Sequence, residues 1–252
     1  MTAIELRGVT KEFADVTAVR GLDLTVEEGE VYGFLGPNGA GKSTTINCVT
    51  GLLEPSSGSV RFNGEDITGA DPHDVVQKGI SKSFQTASIF PDMSVMDNVR
   101  IAAFGAEHGS FRFNFLKRRD AYDEVDATAT QMLEAVHLED AASTPAKNLP
   151  YGDKRRLEIA IALASEPDLL FMDEPTAGMS PEETRETVDL IEDLQDDLGL
   201  TIVLVEHDME VIFRVADRIA VLNRGSIIAD ERPDAIKGDP EVQEAYLGGV
   251  EI

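Results

Sequence analysis

The segment VYGFLGPNGAGKSTT, residues 31–45, decides the fold of this chain. A short apolar run typical of a buried strand enters a glycine-rich turn, and a helical pattern follows the turn. The turn matches G-x-x-x-x-G-K-[ST], in which backbone N–H groups surround phosphate oxygens at a helix N-terminus. We expect Lys42 to reach the β- and γ-phosphates of a nucleotide and the Ser43 hydroxyl to bind Mg²⁺. The predicted phosphate-binding residues are Gly36, Pro37, Asn38, Gly39, Ala40, Gly41, Lys42, Ser43 and Thr44.

Two later apolar segments end in side chains suited to nucleotide chemistry. The run at 169–172 leads into Asp173 and Glu174, and the run at 201–205 is followed closely by His207. Because ligands of open α/β sheets bind outside the carboxyl ends of the strands, these groups are predicted to share one crevice. Asp173 would hold Mg²⁺ through water, Glu174 would polarise the attacking water, and His207 would contact the γ-phosphate. The alternatives are that the acids cap a helix and that the histidine is an ordinary surface residue.

Strand and helix patterns alternate along most of the chain, which predicts an α/β fold with a mostly parallel sheet. The N-terminal segments instead alternate in the manner of antiparallel strands. The middle of the chain is helical, and the strand pattern resumes after it. We therefore expect a single domain, 1–252, with its core and β subdomain at about 1–90 and 165–252 and a helical subdomain inserted at about 91–164.

Composition and charge exclude several classes of protein. The 252 residues are 42% hydrophobic, and no apolar run approaches the about 18 residues that a transmembrane helix needs. A single cysteine, Cys48, excludes an internal disulfide framework. With 47 acidic against 22 basic residues, the net charge of −25 opposes nucleic-acid binding. This acidity suggests either a highly charged surface that favours solubility or adaptation to a high-salt cytoplasm.

The phosphate loop, LLFMDEP and LVEHD occur in an order that resembles the ATP-binding subunits of ABC transporters over essentially the whole chain. The resemblance implies a P-loop NTPase (RecA-like) core that uses ATP and Mg²⁺. It also implies that Phe13 stacks on adenine and that Gln85 contacts Mg²⁺ and links the core to the helical subdomain. Glu174 and His207 match the catalytic glutamate and the switch histidine of the family. Packing of Phe13 within its strand is the alternative for that residue.

The segment LPYGD, 149–153, holds the place of the ABC signature motif. In the family this helix N-terminus faces the ATP of a second subunit, so Tyr151, Gly152 and Asp153 are expected to contact nucleotide in trans. Pro150 and Asp153 depart from the usual serine and glutamine. The cations at 154–156 are expected to offset Asp153 and to favour a phosphate from the partner.

The wider segment LPYGDKRRLEIA is similar to ATPases of branched-chain amino-acid importers. This likeness implies a second ATPase subunit, transmembrane permease subunits, an indirectly associated substrate-binding protein, and a place at the cytoplasmic face of the cell membrane. Amino acids lead as cargo, and urea or short amides come next. A homodimer and a heterodimer both remain open, although the resemblance favours the second. The alternatives are an ABC protein of DNA repair or translation, which usually has long coiled coils or two cassettes, and a kinase-like P-loop protein, which would not explain LPYGD or His207.

Overall fold

A computed structural model describes residues 1–83, 89–108 and 120–247. The strands are β1 (Thr2–Phe13), β2 (Val16–Glu27), β3 (Val31–Leu35), β4 (Ser57–Phe62), β5 (Glu65–Asp66), β6 (Ile80–Ser83), β7 (Leu169–Asp173), β8 (Thr201–Val205), β9 (Arg218–Asn223) and β10 (Ser226–Glu231). The α-helices are α1 (Lys42–Val49), α2 (Pro72–Gln77), α3 (Val95–His108), α4 (Asp120–Ala135), α5 (Tyr151–Leu163), α6 (Pro181–Leu198), α7 (Met209–Val215), α8 (Pro233–Gly238) and α9 (Pro240–Leu247). Short 3₁₀ turns lie at Glu139–Ala141 and Ala146–Asn148.

The larger sheet has the strand order β10-β9-β3-β8-β7-β6. Its strands from β9 to β6 run parallel, and only β10 at the edge runs antiparallel to its neighbour. β3 therefore lies between two strands, β8 and β9, that come more than 160 residues later in the chain. The predicted α/β fold with a mostly parallel sheet is confirmed.

Both faces of this sheet are covered, which explains why its strands are apolar at almost every position. In β7, Leu170 and Met172 pack with residues of the helices, whereas Leu169 and Phe171 pack with the N-terminal strands and α1. All five residues of β7 are buried. β3 and β8 are likewise buried along their whole lengths, so the central sheet separates two cores.

The smaller sheet has the order β2-β1-β4-β5 and is antiparallel throughout. Ile4 and Leu6 of β1 are buried and contribute to the same core as Phe34 of β3. This arrangement agrees with the strand alternation that the N-terminal sequence predicts. The smaller sheet packs against the face of the central sheet that carries α1.

Helices α3, α4 and α5 occupy the predicted helical region between β6 and β7. Their apolar residues, including Val99, Leu133 and Leu157, are buried in the core on the other face of the sheet. Among the helices of the described residues, none is both long enough and apolar enough to cross a bilayer.

Candidate nucleotide site

The predicted phosphate loop lies between β3 and α1, as the sequence pattern requires. Gly36, Gly39 and Gly41 have φ angles of 152°, 79° and 111°, a region that residues with a Cβ rarely adopt. A Cβ on Gly36 would also lie 2.3 Å from the carbonyl oxygen of Leu222 in β9. Glycine is therefore required at Gly36 both by the backbone angle and by the adjacent strand.

The start of α1 suits an anion. The first N–H groups of any helix have no intrahelical acceptor, and they carry the positive end of the helix dipole. The α1 N-terminus has no side-chain cap, and its first turn contains no acidic residue. An anionic ligand can therefore satisfy these groups without competing with a carboxylate of the helix itself.

Lys42 is buried within the loop that it follows. Its Nζ atom donates to the carbonyl oxygens of Gly36 at 2.5 Å and Pro37 at 3.2 Å. Burial lowers the pKa of Lys42, and the nearby carboxylates of Glu174 and Asp173 oppose this shift. The ammonium group is thus held beside both the loop and the end of β7, where a phosphate would meet it.

Asp173 is the last residue of β7 and is buried. Its Oδ2 atom lies 3.5 Å from Nζ of Lys82 in β6, and Lys82 also donates to Asn47 of α1 at 3.5 Å. The Asp173 carboxylate and the Ser43 hydroxyl are hard oxygen donors of the kind that Mg²⁺ prefers. The donor set fits the predicted magnesium site, while Lys82 is a basic neighbour that the sequence motifs do not indicate.

Glu174 and His207 are brought into contact because β7 and β8 pair in parallel. The Nε2 atom of His207 pairs with Oε1 of Glu174. Glu174 has a left-handed φ of 51°, and its N–H donates to the carbonyl oxygen of Val205 at 2.8 Å. Such a backbone conformation in a residue with a Cβ is strained and is common at functional sites. The predicted proximity of these two side chains is confirmed.

Glu206 is a buried carboxylate that the sequence interpretation missed. It is 3% exposed, although it lies between the apolar strand β8 and the half-exposed His207. Acidic residues are almost never fully buried unless they are paired, and this one accepts hydrogen bonds from Thr176 and His207. Its position directly after four apolar residues, 202–205, was the available sequence signal.

Phe13 lies at the end of β1 and is 44% exposed. The Nζ atom of Lys11 lies 5.2 Å from the centre of its ring. A half-exposed aromatic side chain beside a cation offers a face on which a planar base can stack. This exposure argues against the alternative that Phe13 only fills a strand core.

The segment at 149–153 begins α5, with Pro150 at the N-cap position. Tyr151 is half-exposed, and its hydroxyl donates to the carbonyl oxygen of Ala177 at 2.9 Å. None of the hydrogen bonds within the described ranges joins this segment to the loop Gly36–Ser43. The segment is instead tied to the chain that follows β7 in the same subunit.

Two of the three cations at the start of α5, Arg155 and Arg156, do not have the role that the sequence suggested. Arg155 forms an ion pair with Glu158 of the same helix at 2.7 Å, and Arg156 pairs with Glu186 of α6 at 2.7 Å. The expectation that both side chains offset Asp153 and await a phosphate is therefore wrong. Carboxylates of the same subunit neutralise them, and Glu186 was not visible as a partner because it lies 30 residues away.

Ser180 has a structural role at the start of α6. It is the N-cap of α6, its Oγ accepts from the N–H of Glu183 at 3.3 Å, and its own N–H donates to Glu183 at 2.8 Å. This reciprocal pair is a capping box, which the spacing S-x-x-E indicates. The hydrogen bond from the Ser180 N–H lowers the pKa of Glu183. Gln85, the remaining predicted site residue, lies outside the described residues.

Comparison with known proteins gives consistent results. A family model described as ABC transporter matches residues 19–177. The high-affinity branched-chain amino acid transport ATP-binding protein BraF of Pseudomonas aeruginosa is 38% identical over 252 residues, with 97% of each chain covered. Among solved structures, the ADP conformation of an ATP-binding cassette of an ABC transporter has a TM-score of 0.86 and 29% identity, covering 98% of this chain and 99% of that one. A dimeric post-hydrolysis cassette bound to ADP and Pi has a TM-score of 0.75 and 26% identity, covering 91% and 98%.

Proposed function

We propose that this chain, which belongs to the ABC transporter family, is the ATP-hydrolysing motor subunit of an importer for branched-chain or other amino acids. The chain is an ATPase of this family. The observation that carries the assignment of its site is the contact between Glu174 and His207 beside the phosphate loop. Neither an isolated helix cap nor an ordinary surface histidine requires that contact.

In the proposed site, the phosphates of ATP bind to the N–H groups of the loop 36–44 and to the Lys42 ammonium group. Lys42 already lies inside the loop, where its carbonyl partners can be exchanged for phosphate oxygens. Phe13 offers its exposed ring to the adenine base. Base stacking on an aromatic side chain contributes about 1–3 kcal/mol in comparable sites.

Glu174 is proposed to accept a proton from the attacking water. The water oxygen bonds to the γ-phosphorus while the bond from phosphorus to the oxygen of ADP breaks, and the water proton passes to the carboxylate. His207 would hold the γ-phosphate through the imidazole group that now contacts Glu174. Both side chains come from strand ends, so the sheet fixes their separation.

Ser43 and Asp173 would hold Mg²⁺, and the Gln85 side chain is proposed as a further ligand. When bound, the ion neutralises charge on the phosphates of ATP. Asp173 is buried, and its carboxylate lies near the Lys42 ammonium group, so the proposed magnesium ligand and the proposed phosphate ligand are neighbours.

The signature segment is proposed to complete the site of a second subunit. Tyr151, Gly152 and Asp153 would face the ATP bound by that subunit, and two ATP molecules would close the dimer. The support is the exposure of Tyr151 at the end of α5 and the dimeric form of a similar cassette.

The rest of the transporter would be supplied by other chains. We propose that the segment 91–164 is a helical subdomain that transmits closure to permease subunits at the cytoplasmic face of the membrane. A substrate-binding protein would deliver the cargo to the permease. Amino acids are the proposed cargo because BraF, which is 38% identical, is a branched-chain amino acid transport ATP-binding protein.

Two experiments test this function. Co-purification with the permease, followed by ATPase assays with candidate amino acids and their binding protein, tests the proposed transporter. In the same assembly, Glu174→Gln should abolish ATP hydrolysis and leave ATP binding intact. A fully active Glu174→Gln variant would refute the role of that carboxylate, whereas stimulation by urea alone would refute the cargo.

A further inference from the structure

The carboxylate of Glu206 joins the two loops that carry the reacting groups. One oxygen, Oε1, accepts from the N–H of Thr176 at 3.0 Å and from the Thr176 hydroxyl at 2.5 Å. The other oxygen, Oε2, accepts from the N–H of His207 at 3.0 Å. Thr176 follows Glu174 by two residues, so one buried side chain fixes the chain on both sides of the contact between Glu174 and His207.

Both oxygens of the Glu206 carboxylate accept hydrogen bonds. All three groups that face it within hydrogen-bond distance are donors, and its two oxygens accept from all of them. A buried carboxylate without such partners would be very unfavourable. A glutamine has nearly the same shape but could not replace this carboxylate, because its amide nitrogen is a donor and would face another donor.

We propose that Glu206 is a positioning residue for ATP hydrolysis, which holds the chain around Glu174 in register with His207. This inference rests on the catalytic roles proposed above for Glu174 and His207. Glu174 has a strained left-handed backbone, which persists only where its surroundings fix it. The Thr176 hydrogen bonds to Glu206 provide part of that fixation, two residues along the same loop.

The first test is Glu206→Gln in the full chain. The variant should lower kcat by about 10- to 100-fold, the usual result of moving a reacting group by about 1 Å. The affinity for a fluorescent ATP analogue should change by no more than about twofold, since the phosphate loop and Phe13 are untouched. A wild-type kcat in this variant would overturn the proposal.

Glu30→Gln is a matched control. Glu30 is also a buried glutamate, 8% exposed, and it accepts from the N–H of Glu27 at 2.8 Å. It precedes β3, so it lies at the opposite edge of the sheet from the phosphate loop. Its replacement should lower the unfolding midpoint and leave kcat within about twofold of wild type. A loss of kcat equal to that of Glu206→Gln would show that any buried glutamate has this effect and would overturn the positioning role.

The second test combines Glu206→Gln with His207→Ala. If Glu206 acts through the contact of His207 with Glu174, the double variant should lose no more activity than His207→Ala alone. If the loss of activity in the double variant equals the product of the fold losses in the two single variants, the proposal is overturned, because Glu206 would then act elsewhere. Full activity of His207→Ala would refute the roles proposed for the pair and the positioning role with them, whereas full activity of Glu206→Gln alone would refute only the positioning role.

Discussion

Replacing Gly36 by alanine should destabilise the protein far more than the same change at Gly39. At Gly39 the new methyl group meets no atom within 4 Å, so the loss comes from the left-handed backbone alone, about 1–2 kcal/mol. At Gly36 the methyl group would lie 2.3 Å from the carbonyl oxygen of Leu222. That oxygen belongs to β9, which pairs with strands on both sides and cannot move freely. Overpacking adds about 1–3 kcal/mol, for a total of about 2–5 kcal/mol.

Urea unfolding of both variants, followed by circular dichroism without nucleotide, measures the two losses. The two glycines belong to the same loop, so each variant is the control for the other. ATP binding should also weaken in Gly36→Ala, because relief of the overlap moves the start of the loop away from β9. Equal losses of stability in the two variants would refute the reasoning, since the steric contact with Leu222 would then contribute nothing.

Three further predictions concern the base, the signature segment and the surface charge. Phe13→Ala should weaken the binding of a fluorescent ATP analogue about 5- to 150-fold, because about 1–3 kcal/mol of stacking is lost. An unchanged affinity would refute the stacking of adenine on Phe13. Tyr151→Phe removes the hydrogen bond to Ala177 and should lower the unfolding free energy by about 1 kcal/mol; no change in the urea midpoint would contradict this value. Molar KCl should raise the melting temperature, because it shortens the screening length to about 3 Å and weakens the self-repulsion of a chain with net charge −25; a melting temperature that does not rise would exclude the adaptation to high salt.

The nucleotide site was predictable from the sequence where it depends on neighbouring residues. The loop after β3 and the acids after β7 follow directly from apolar runs that end in polar groups. The same local logic located His207, since buried parallel strands place their carboxyl ends at one edge. The capping box of Ser180 and Glu183 is also a local feature, since its S-x-x-E spacing is visible in the sequence.

Contacts between distant segments were not predictable in this way. The three cations at the start of α5 looked like an anion site, because the Arg156 partner, Glu186, comes from another helix. Glu206 looked like one of many acids, because its burial depends on Thr176 from the adjacent loop. A linear pattern shows the charge of a side chain, whereas the fold decides which donors surround it.

The position of β3 between β8 and β9 also determines when the central sheet can form during synthesis on the ribosome. Roughly 190 residues separate Leu35 from the end of β9, and at about 5–20 residues per second their synthesis takes about 10–40 s. For most of that interval the apolar strand β3 and the phosphate loop lack both of the strands that flank them, β8 and β9. We therefore expect the nascent chain to expose apolar surface and to bind nucleotide poorly until β8 and β9 have been synthesised.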